Sequence, residues 1–386
     1  MPPRLPLFAT TTRGTEDVLA EELTELGGVK IRRDRGGVRF AANLDEALRI
    51  CLWTRIAMRV LYPLGEFTAP GAEGLYEAAA SVPWEEHFTA TSTFMVEATL
   101  RNSEHNHSGF VGLKIKDAIA DRLRAKLGAR PDVDTRDPVF RVVAHVAKDK
   151  LSLSLDLCGE PLNRRGYRVA PIVTPLKETL AAAILKLAKY TGDEPLLDPM
   201  CGSGTFAIEA GLIATRRAPG LTRRFAVERW PQMGPSALRT LADLRSQARA
   251  EERPAPCPIY GFDRQEEAVA AATKNVAAAE LSGDVRIAEG DASKPLPMPT
   301  SPPGLLVTNP PYGDRLKAGG QQGMKTFYFQ LGESFAHLDG WRMVILAGNA
   351  AFESAFHRRP THTRALWNGP IECALLSYAP AAHAQS

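Results

Sequence analysis

The stretch LLDPMCGSGTFAIEAG, residues 196–211, constrains the fold more than any other part of the chain. A short apolar strand runs into a turn that carries Gly202 and Gly204, and a helical pattern begins at once with Thr205. Glycines have no Cβ, so a ligand can lie against the backbone where the unpaired N–H groups of a helix N-terminus converge. The spacing Gly202-x-Gly204-x-x-Ala207 meets the loose dinucleotide fingerprint, which alone is a weak signal.

Such a turn needs a parallel sheet around it, and the pattern supplies one. From residue 176 onward the chain reads as helix 176–189, strand 195–198, helix 205–216, strand 259–263 and helix 265–280, then strands 285–288 and 305–308, helix 325–337 and strand 342–347. This alternation predicts an α/β, Rossmann-like sheet over residues 169–386. The Pro- and Gly-rich interval 218–256 reads as an insertion that the core does not need. Ahead of it the order differs. Residues 1–65 read as a small ferredoxin-like α+β unit and 66–168 as a second α+β unit, with a proline-marked junction at 170–175.

A length of 386 residues suits two or three domains, and 44% hydrophobic with 24% charged residues describes a soluble globular chain. No run of about 18 apolar residues exists, and the N-terminus lacks the apolar centre of a signal peptide, so a cytoplasmic protein with no membrane span is expected. The five cysteines are scattered and form no C-x-x-C pair, which points to neither a disulfide framework nor a zinc site; no metal is expected.

An NAD site would place an acid about twenty residues past the glycine turn, at the end of the second strand. Only Glu228 lies near that spacing, inside the Pro-rich interval and after no apolar strand. The strands themselves end in acids: Asp198, Asp263 in IYGFD and Asp291 in AEGDA. These three would stand along the crevice at the carboxyl edge of the sheet, where two of them could accept hydrogen bonds from ribose hydroxyls and an adenine amine. A lone strand-end Asp is far more often a turn or cap residue; three in consecutive strands beside a glycine loop are harder to dismiss.

TNPPYG, residues 308–313, ends the fourth strand at the same edge. Pro310 keeps a carbonyl but no N–H, Pro311 restricts the direction of that carbonyl, and Asn309 adds a second oxygen. Two acceptors beside the ring of Tyr312 suit a planar substrate with an NH2 group. The lone pair of such an amine is delocalised into its ring, so hydrogen bonds that localise and aim it, together with a strong electrophile such as a sulfonium methyl group, would be needed for reaction. The plain alternative is a strand-ending turn with a packed tyrosine.

DPMCGSG, GFD, GDA and NPPY together resemble the class I S-adenosylmethionine-dependent amino-methyltransferases. The resemblance implies a donor site of Asp198, Met200, Gly202, Ser203, Gly204, Thr205, Asp263, Arg264, Asp291, Ala292 and Asn309, and a catalytic tetrad of Asn309, Pro310, Pro311 and Tyr312. NPPY alone is shared by methylases of DNA adenine and cytosine, RNA guanine and release-factor glutamine. RGTEDVLAEEL, RGGVRF, ALRICLWTRIAMRVL, LSLDLCGEPLNRRGYR, PLKETLAAAIL and WNGPIECALLSY resemble, nearly end to end, the THUMP-domain RNA guanine-N2 methyltransferases of the RlmL/TrmN-like UPF0020 family. That implies a THUMP domain at 66–168, RNA as partner, a guanosine 2-amino group as target, and 23S rRNA ahead of tRNA as substrate.

Three basic segments fit an RNA partner and read equally as solvated faces. They are Lys30, Arg32, Arg33 and Arg35 in KIRRDRGGVRF, Lys114 and Lys116 on a helix, and Arg164, Arg165 and Arg168 in NRRGYR. DNA and protein-glutamine amino-methylases, an inactive RNA-binding module and a dinucleotide oxidoreductase remain as rivals.

Overall fold

The computed structural model describes residues 3–170, 176–296, 302–312 and 320–380. The chain divides into two compact units, neither of them contiguous in sequence. The first gathers the residues through Thr10, Glu22–Leu162 and Thr222–Ser246; the second gathers Thr11–Glu21, Asn163–Leu221 and everything from Gln247 onward. No described helix is long and apolar enough to cross a membrane.

The elements of the N-terminal part are β1 (Leu5–Thr10), α1 (Glu16–Glu25), β2 (Val29–Asp34), β3 (Gly37–Ala42), α2 (Leu44–Trp53), β4 (Arg59–Thr68), α3 (Gly71–Ser81), β5 (Phe94–Arg101), α4 (Ser108–Leu127), β6 (Phe140–Ala147) and β7 (Lys150–Asp156). Local chemistry explains several of them. Asn43 and Glu46 form a reciprocal capping box at the start of α2, each side chain accepting from the other's backbone N–H at 2.8 Å. On α4 the apolar stripe Ile115, Ile119 and Leu123 is fully buried. KIRRDRGGVRF is a tight hairpin rather than one strand: β2 turns through Arg35 and Gly36, whose φ of +77° suits glycine, into β3.

The expected boundary between residues 65 and 66 falls inside β4. Its first three residues pair with β1 (Thr10 opposite Arg59, Phe8 opposite Leu61), and from Leu61 to Thr68 it pairs with β7 (Leu61 opposite Asp156, Thr68 opposite Lys150). One seven-stranded sheet, ordered β2-β3-β1-β4-β7-β6-β5, therefore runs through both of the expected N-terminal domains. A bulge at Pro63–Gly65 shifts the register midway along this ten-residue strand.

The Pro-rich interval forms α7 (Pro235–Ala250), and its portion Thr222–Ser246 packs with the first unit. The Val227 N–H donates to the Leu157 carbonyl at 3.0 Å, and the Trp230 ring stacks on Phe140 at 5.3 Å. Glu228 is paired with Arg245 at 2.8 Å within this unit. That partner and that unit remove it from the ribose role that an NAD site would have required.

The second unit contains α5 (Glu178–Leu187), β8 (Leu196–Asp198), α6 (Thr205–Ala214), β9 (Ile259–Asp263), α8 (Glu266–Ala278), β10 (Val285–Glu289) and β11 (Leu305–Thr308). It continues with α9 (Gly320–Ala336), β12 (Arg342–Ala347), α10 (Ala351–Ala355), β13 (His362–Asn368) and β14 (Ile371–Tyr378). Its seven strands run β10-β9-β8-β11-β12-β14-β13, parallel through β12, with β14 antiparallel to both of its neighbours. The β13–β14 hairpin does not follow from the strand–helix alternation. Its signal is the Asn368-Gly369 dipeptide, with Gly369 at φ +63° opening a two-residue turn.

In the first unit Arg59 reaches the fully buried Asp156, takes Glu97 at 2.8 Å and donates to the Gly159 carbonyl at 3.2 Å. Arg141 joins the same Glu97 at 3.2 Å to Glu160 at 2.9 Å. Removing one member of a buried pair leaves an uncompensated charge. Arg59→Ala is expected to lower the unfolding free energy by about 3–5 kcal/mol in denaturant titration; a loss under about 1 kcal/mol would mean that Asp156 finds another partner.

Candidate active site

In the second unit β8 and β11 are neighbours, with β9 and β10 beyond β8 and β12 beyond β11. The strand order reverses at this point, and in open α/β sheets the crevice outside the carboxyl ends at such a reversal is where ligands bind. Asp198 ends β8, Asp263 ends β9, Asp291 follows β10 by two residues and Asn309 follows β11 directly.

On its sheet side the turn from β8 to α6 is held through its backbone N–H groups. The Cys201 N–H donates to the Phe262 carbonyl at 2.8 Å, the Gly202 N–H to Asp263 Oδ2 at 3.0 Å and the Gly204 N–H to the Cys201 carbonyl at 2.8 Å. Gly202 and Gly204 lie at φ +53° and +83°, where side chains are strained. Gly204 caps α6 with no side-chain hydrogen bond, which leaves the first N–H groups of that helix for a ligand. Beneath the turn Asp198 is buried; burial pushes its carboxyl up to about 7, against the opposing effect of the Met200 N–H and the Thr308 hydroxyl.

The far side of the loop is braced by residues expected to touch RNA. Arg168 donates to Glu178 at 2.9 Å, to Ser203 Oγ at 2.8 Å, to Thr205 Oγ1 at 3.2 Å and to the Leu176 carbonyl at 3.0 Å. Arg165 is buried against Glu209 at 3.4 Å, and the same carboxylate accepts from the Tyr167 hydroxyl at 3.0 Å. Arg165, buried, and Arg168, half-buried, thus each face a carboxylate inside the fold. Of the NRRGYR arginines only Arg164 is exposed.

Asp263 also accepts from the Gln265 N–H at 3.0 Å, so each of its oxygens holds one backbone donor and keeps a lone pair free. Asp291 accepts from the Ser293 amide at 3.0 Å and hydroxyl at 2.7 Å. Partial burial pushes its carboxyl up, but Ser293, with Lys294 and Arg264 adding to it, outweighs that and holds it below its ordinary value. Ala292 is buried, Met200 is half-buried, and the exposed Arg264 lies over the Phe327 ring at 5.9 Å.

At the end of β11 the Asn309 Oδ1 atom is buried with no hydrogen-bond partner among the described residues. The Pro311 carbonyl accepts from the Tyr328 hydroxyl on α9 at 2.9 Å, so it is the other proline's carbonyl that stays beside Asn309 as a candidate acceptor. Tyr312, whose ring is expected to stack on the substrate base, is packed into the fold. It is only 7% exposed, its hydroxyl accepts from Asn368 Nδ2 at 2.7 Å, and its ring lies where a Cβ on Gly348 would meet it at 2.6 Å. The face that stacking on a base would require is largely covered. Gly313 lies outside the described residues, as do 171–175 of the expected junction.

In the first unit Lys30, Arg32, Arg33 and Arg35 are exposed on the β2–β3 hairpin, with β2 at the sheet edge. Charges there also keep an edge strand from pairing with other chains. Lys114 and Lys116 are half-buried on α4, and Lys116 is paired with Asp117 at 2.8 Å.

Three supporting residues escaped the sequence reading. Asn275 on α8 donates to the Ser203 carbonyl at 3.0 Å and accepts from the Ala170 N–H at 2.9 Å. Glu209 lies fully buried on α6, and Asn368 holds Tyr312. The first two had a signal: a single polar residue inside an otherwise apolar helical stripe is either a mistake or a partner to something.

The raised Asp198 pKa has a testable sign. Its ordinary value is 3.8, so the folded chain binds this proton more tightly than the unfolded chain does. The resulting stabilisation is complete below about pH 3.8 and is lost as pH rises through about 7. Asp198→Asn should therefore gain stability relative to the unsubstituted chain as pH increases across that window, read by denaturant melts; parallel curves would refute it.

The family model described as "RMKL-like, methyltransferase domain" (UPF0020) matches residues 165–377, the THUMP domain model matches 71–156, and the RlmL ferredoxin-like domain model matches 6–61. The Syntrophotalea carbinolica "Ribosomal RNA large subunit methyltransferase K/L" is 42% identical over 380 residues, covering 96% of this chain and 53% of that one. The chain thus spans about half the length of this curated relative. A Synechocystis protein, named provisionally as an RNA methyltransferase (slr0064), is 35% identical and is matched over 97% of this chain and 96% of its own length. Among solved structures, SMU.472 complexed with SAH, described provisionally as a methyltransferase, superposes with a TM-score of 0.87 at 30% identity, covering 98% of this chain and 99% of that one. The parallel sheet with its glycine turn and the Asn-Pro-Pro-Tyr strand end are accordingly those of a UPF0020, RMKL-like methyltransferase, the family to which this chain belongs.

Proposed function

We propose that the chain is an S-adenosylmethionine-dependent RNA methyltransferase acting on the exocyclic 2-amino group of a guanosine. Large-subunit ribosomal RNA is the first substrate and tRNA the second. The observation that carries the amine reading is Asn309 Oδ1, a buried acceptor with no partner among the described residues at the end of β11. An acceptor in that condition lacks only a donor, and an amine brings two. The name of the Syntrophotalea relative supports ribosomal RNA, and the match to the THUMP domain supports RNA in general.

The residues present fit the methyl donor. The positive-φ glycines leave the backbone of the turn open to close approach, and α6 presents N–H groups that no side chain caps. Gly202, Ser203, Gly204 and Thr205 would hold the amino-acid end, supported by Asp198, with Met200 beside them. Asp263 would take the ribose through its remaining lone pairs, with Arg264 next to it, and Asp291 with Ala292 would border the adenine. S-adenosylmethionine supplies an electrophilic methyl group when bound. Asn309 Oδ1 and the Pro310 carbonyl accept from the guanine amine and aim its lone pair. Tyr312, anchored by Asn368 and seated on Gly348, ties down the end of the turn that carries those two acceptors.

Asn309→Ala is expected to slow methyl transfer by about 100-fold or more at saturating S-adenosylmethionine, a loss larger than any accompanying weakening of S-adenosylhomocysteine binding. The measurement is labelled-methyl incorporation into rRNA and tRNA from cells lacking the gene, with calorimetry for the cofactor. A variant with the full rate would overturn the amine assignment. Nucleoside mass spectrometry of the product names the base, and a methylated adenosine or cytidine would overturn the guanosine.

A further inference from the structure

Between α9 and α10 in the second unit lies a cleft of about 350 Å³, lined by Gln322, Lys325, Thr326, Phe329, Ser354 and His357. Its volume is at the lower end of the roughly 300–1,000 Å³ range of ligand pockets. None of these residues belongs to the donor or amine site. Both walls are nevertheless tied to the Asn309–Tyr312 turn. Tyr328, adjacent to Phe329 on α9, donates to the Pro311 carbonyl at 2.9 Å. On the other side Gly348, just ahead of α10, underlies the Tyr312 ring, and Asn349 accepts from the Ala351 N–H at 2.8 Å and reaches Met324 Sδ on α9 at 3.0 Å. The floor is set by Gly332, where a Cβ would lie 2.5 Å from the Phe356 carbonyl; only glycine lets the two helices come so close.

The lining combines an aromatic ring, a cation and several hydrogen-bonding side chains. Phe329 is 44% exposed, and the His357 ring meets it nearly perpendicular at 5.3 Å. Lys325, one helical turn before Phe329, supplies a cation, while Gln322, Thr326 and Ser354 supply donors and acceptors. An uncovered ring beside a cation and edge-reading polar groups is the combination that binds single-stranded nucleic acid. On α9, Phe327, two residues before Phe329, meets Arg264 at 5.9 Å, so it lies on a different flank of the helix from the cleft residues.

We infer that this cleft holds a nucleotide of the RNA strand adjoining the target base, stacked on Phe329 with its phosphate at Lys325. The inference rests on the RNA methyltransferase reading above. The fixed link from Phe329 through Tyr328 to Pro311 would hold the strand in register with the amine acceptors.

The test uses the full chain and the RNA, ribosomal or transfer, that it methylates. Phe329→Ala should raise KM for that RNA about tenfold or more, Phe329→Tyr should restore it, and Lys325→Ala should flatten the dependence of log affinity on log salt by about 0.7. S-adenosylhomocysteine binding, measured by calorimetry, should be unchanged in all three, which excludes misfolding as the cause. An unchanged KM in Phe329→Ala, with active wild-type protein, would overturn the cleft alone. A wild-type chain that binds S-adenosylhomocysteine but neither binds nor methylates RNA would overturn the cleft together with the reading beneath it.

Discussion

The site depends on a carboxylate reaching across from one strand end to the next: Asp263, closing β9, accepts the N–H of Gly202 in the turn that leaves β8. A loop of glycines has little preference of its own, and every φ/ψ value it adopts is lost entropy that something else must offset. Here the restraint comes from two sides. Asp263 and the Phe262 carbonyl hold the loop from the sheet; Arg168 and Asn275 hold it from behind through Ser203 and Thr205. None of these contacts uses the N–H groups at the start of α6. The loop is fixed, yet its binding groups stay open.

How much of this could be read beforehand follows from how local each signal was. The parallel half was legible because its strands are continuous apolar runs that stop at Asp198, Asp263 and Thr308–Asn309, and the sheet order follows once helices separate them. The antiparallel half was less so. β4 carries Pro63 and Gly65 in mid-strand, and only its two partners, β1 and β7, decide that it is a strand throughout. One strand can carry the end of one pattern and the start of the next.

The arginines show the same limit in electrostatic form. NRRGYR looks like a basic patch because the carboxylates that Arg165 and Arg168 face, Glu209 and Glu178, lie elsewhere in the sequence. A run of like charge says nothing about whether its partners arrive later in the chain. Tyr312 is the aromatic counterpart: the ring was visible in the sequence, but Asn368 and Gly348, which cover and hold it, come 56 and 36 residues downstream.

The segment Thr222–Ser246 is encoded between strands of the second unit and packs with the first. On a ribosome this sets an order of events. Domains tend to fold as they emerge, N-terminal first. Here the N-terminal sheet cannot acquire Trp230 against Phe140 until the nascent chain has already delivered β8 and the glycine loop, whose own sheet still lacks every other strand. For a stretch of synthesis the apolar β8 and α6 thus precede every strand that β8 pairs with in the finished sheet.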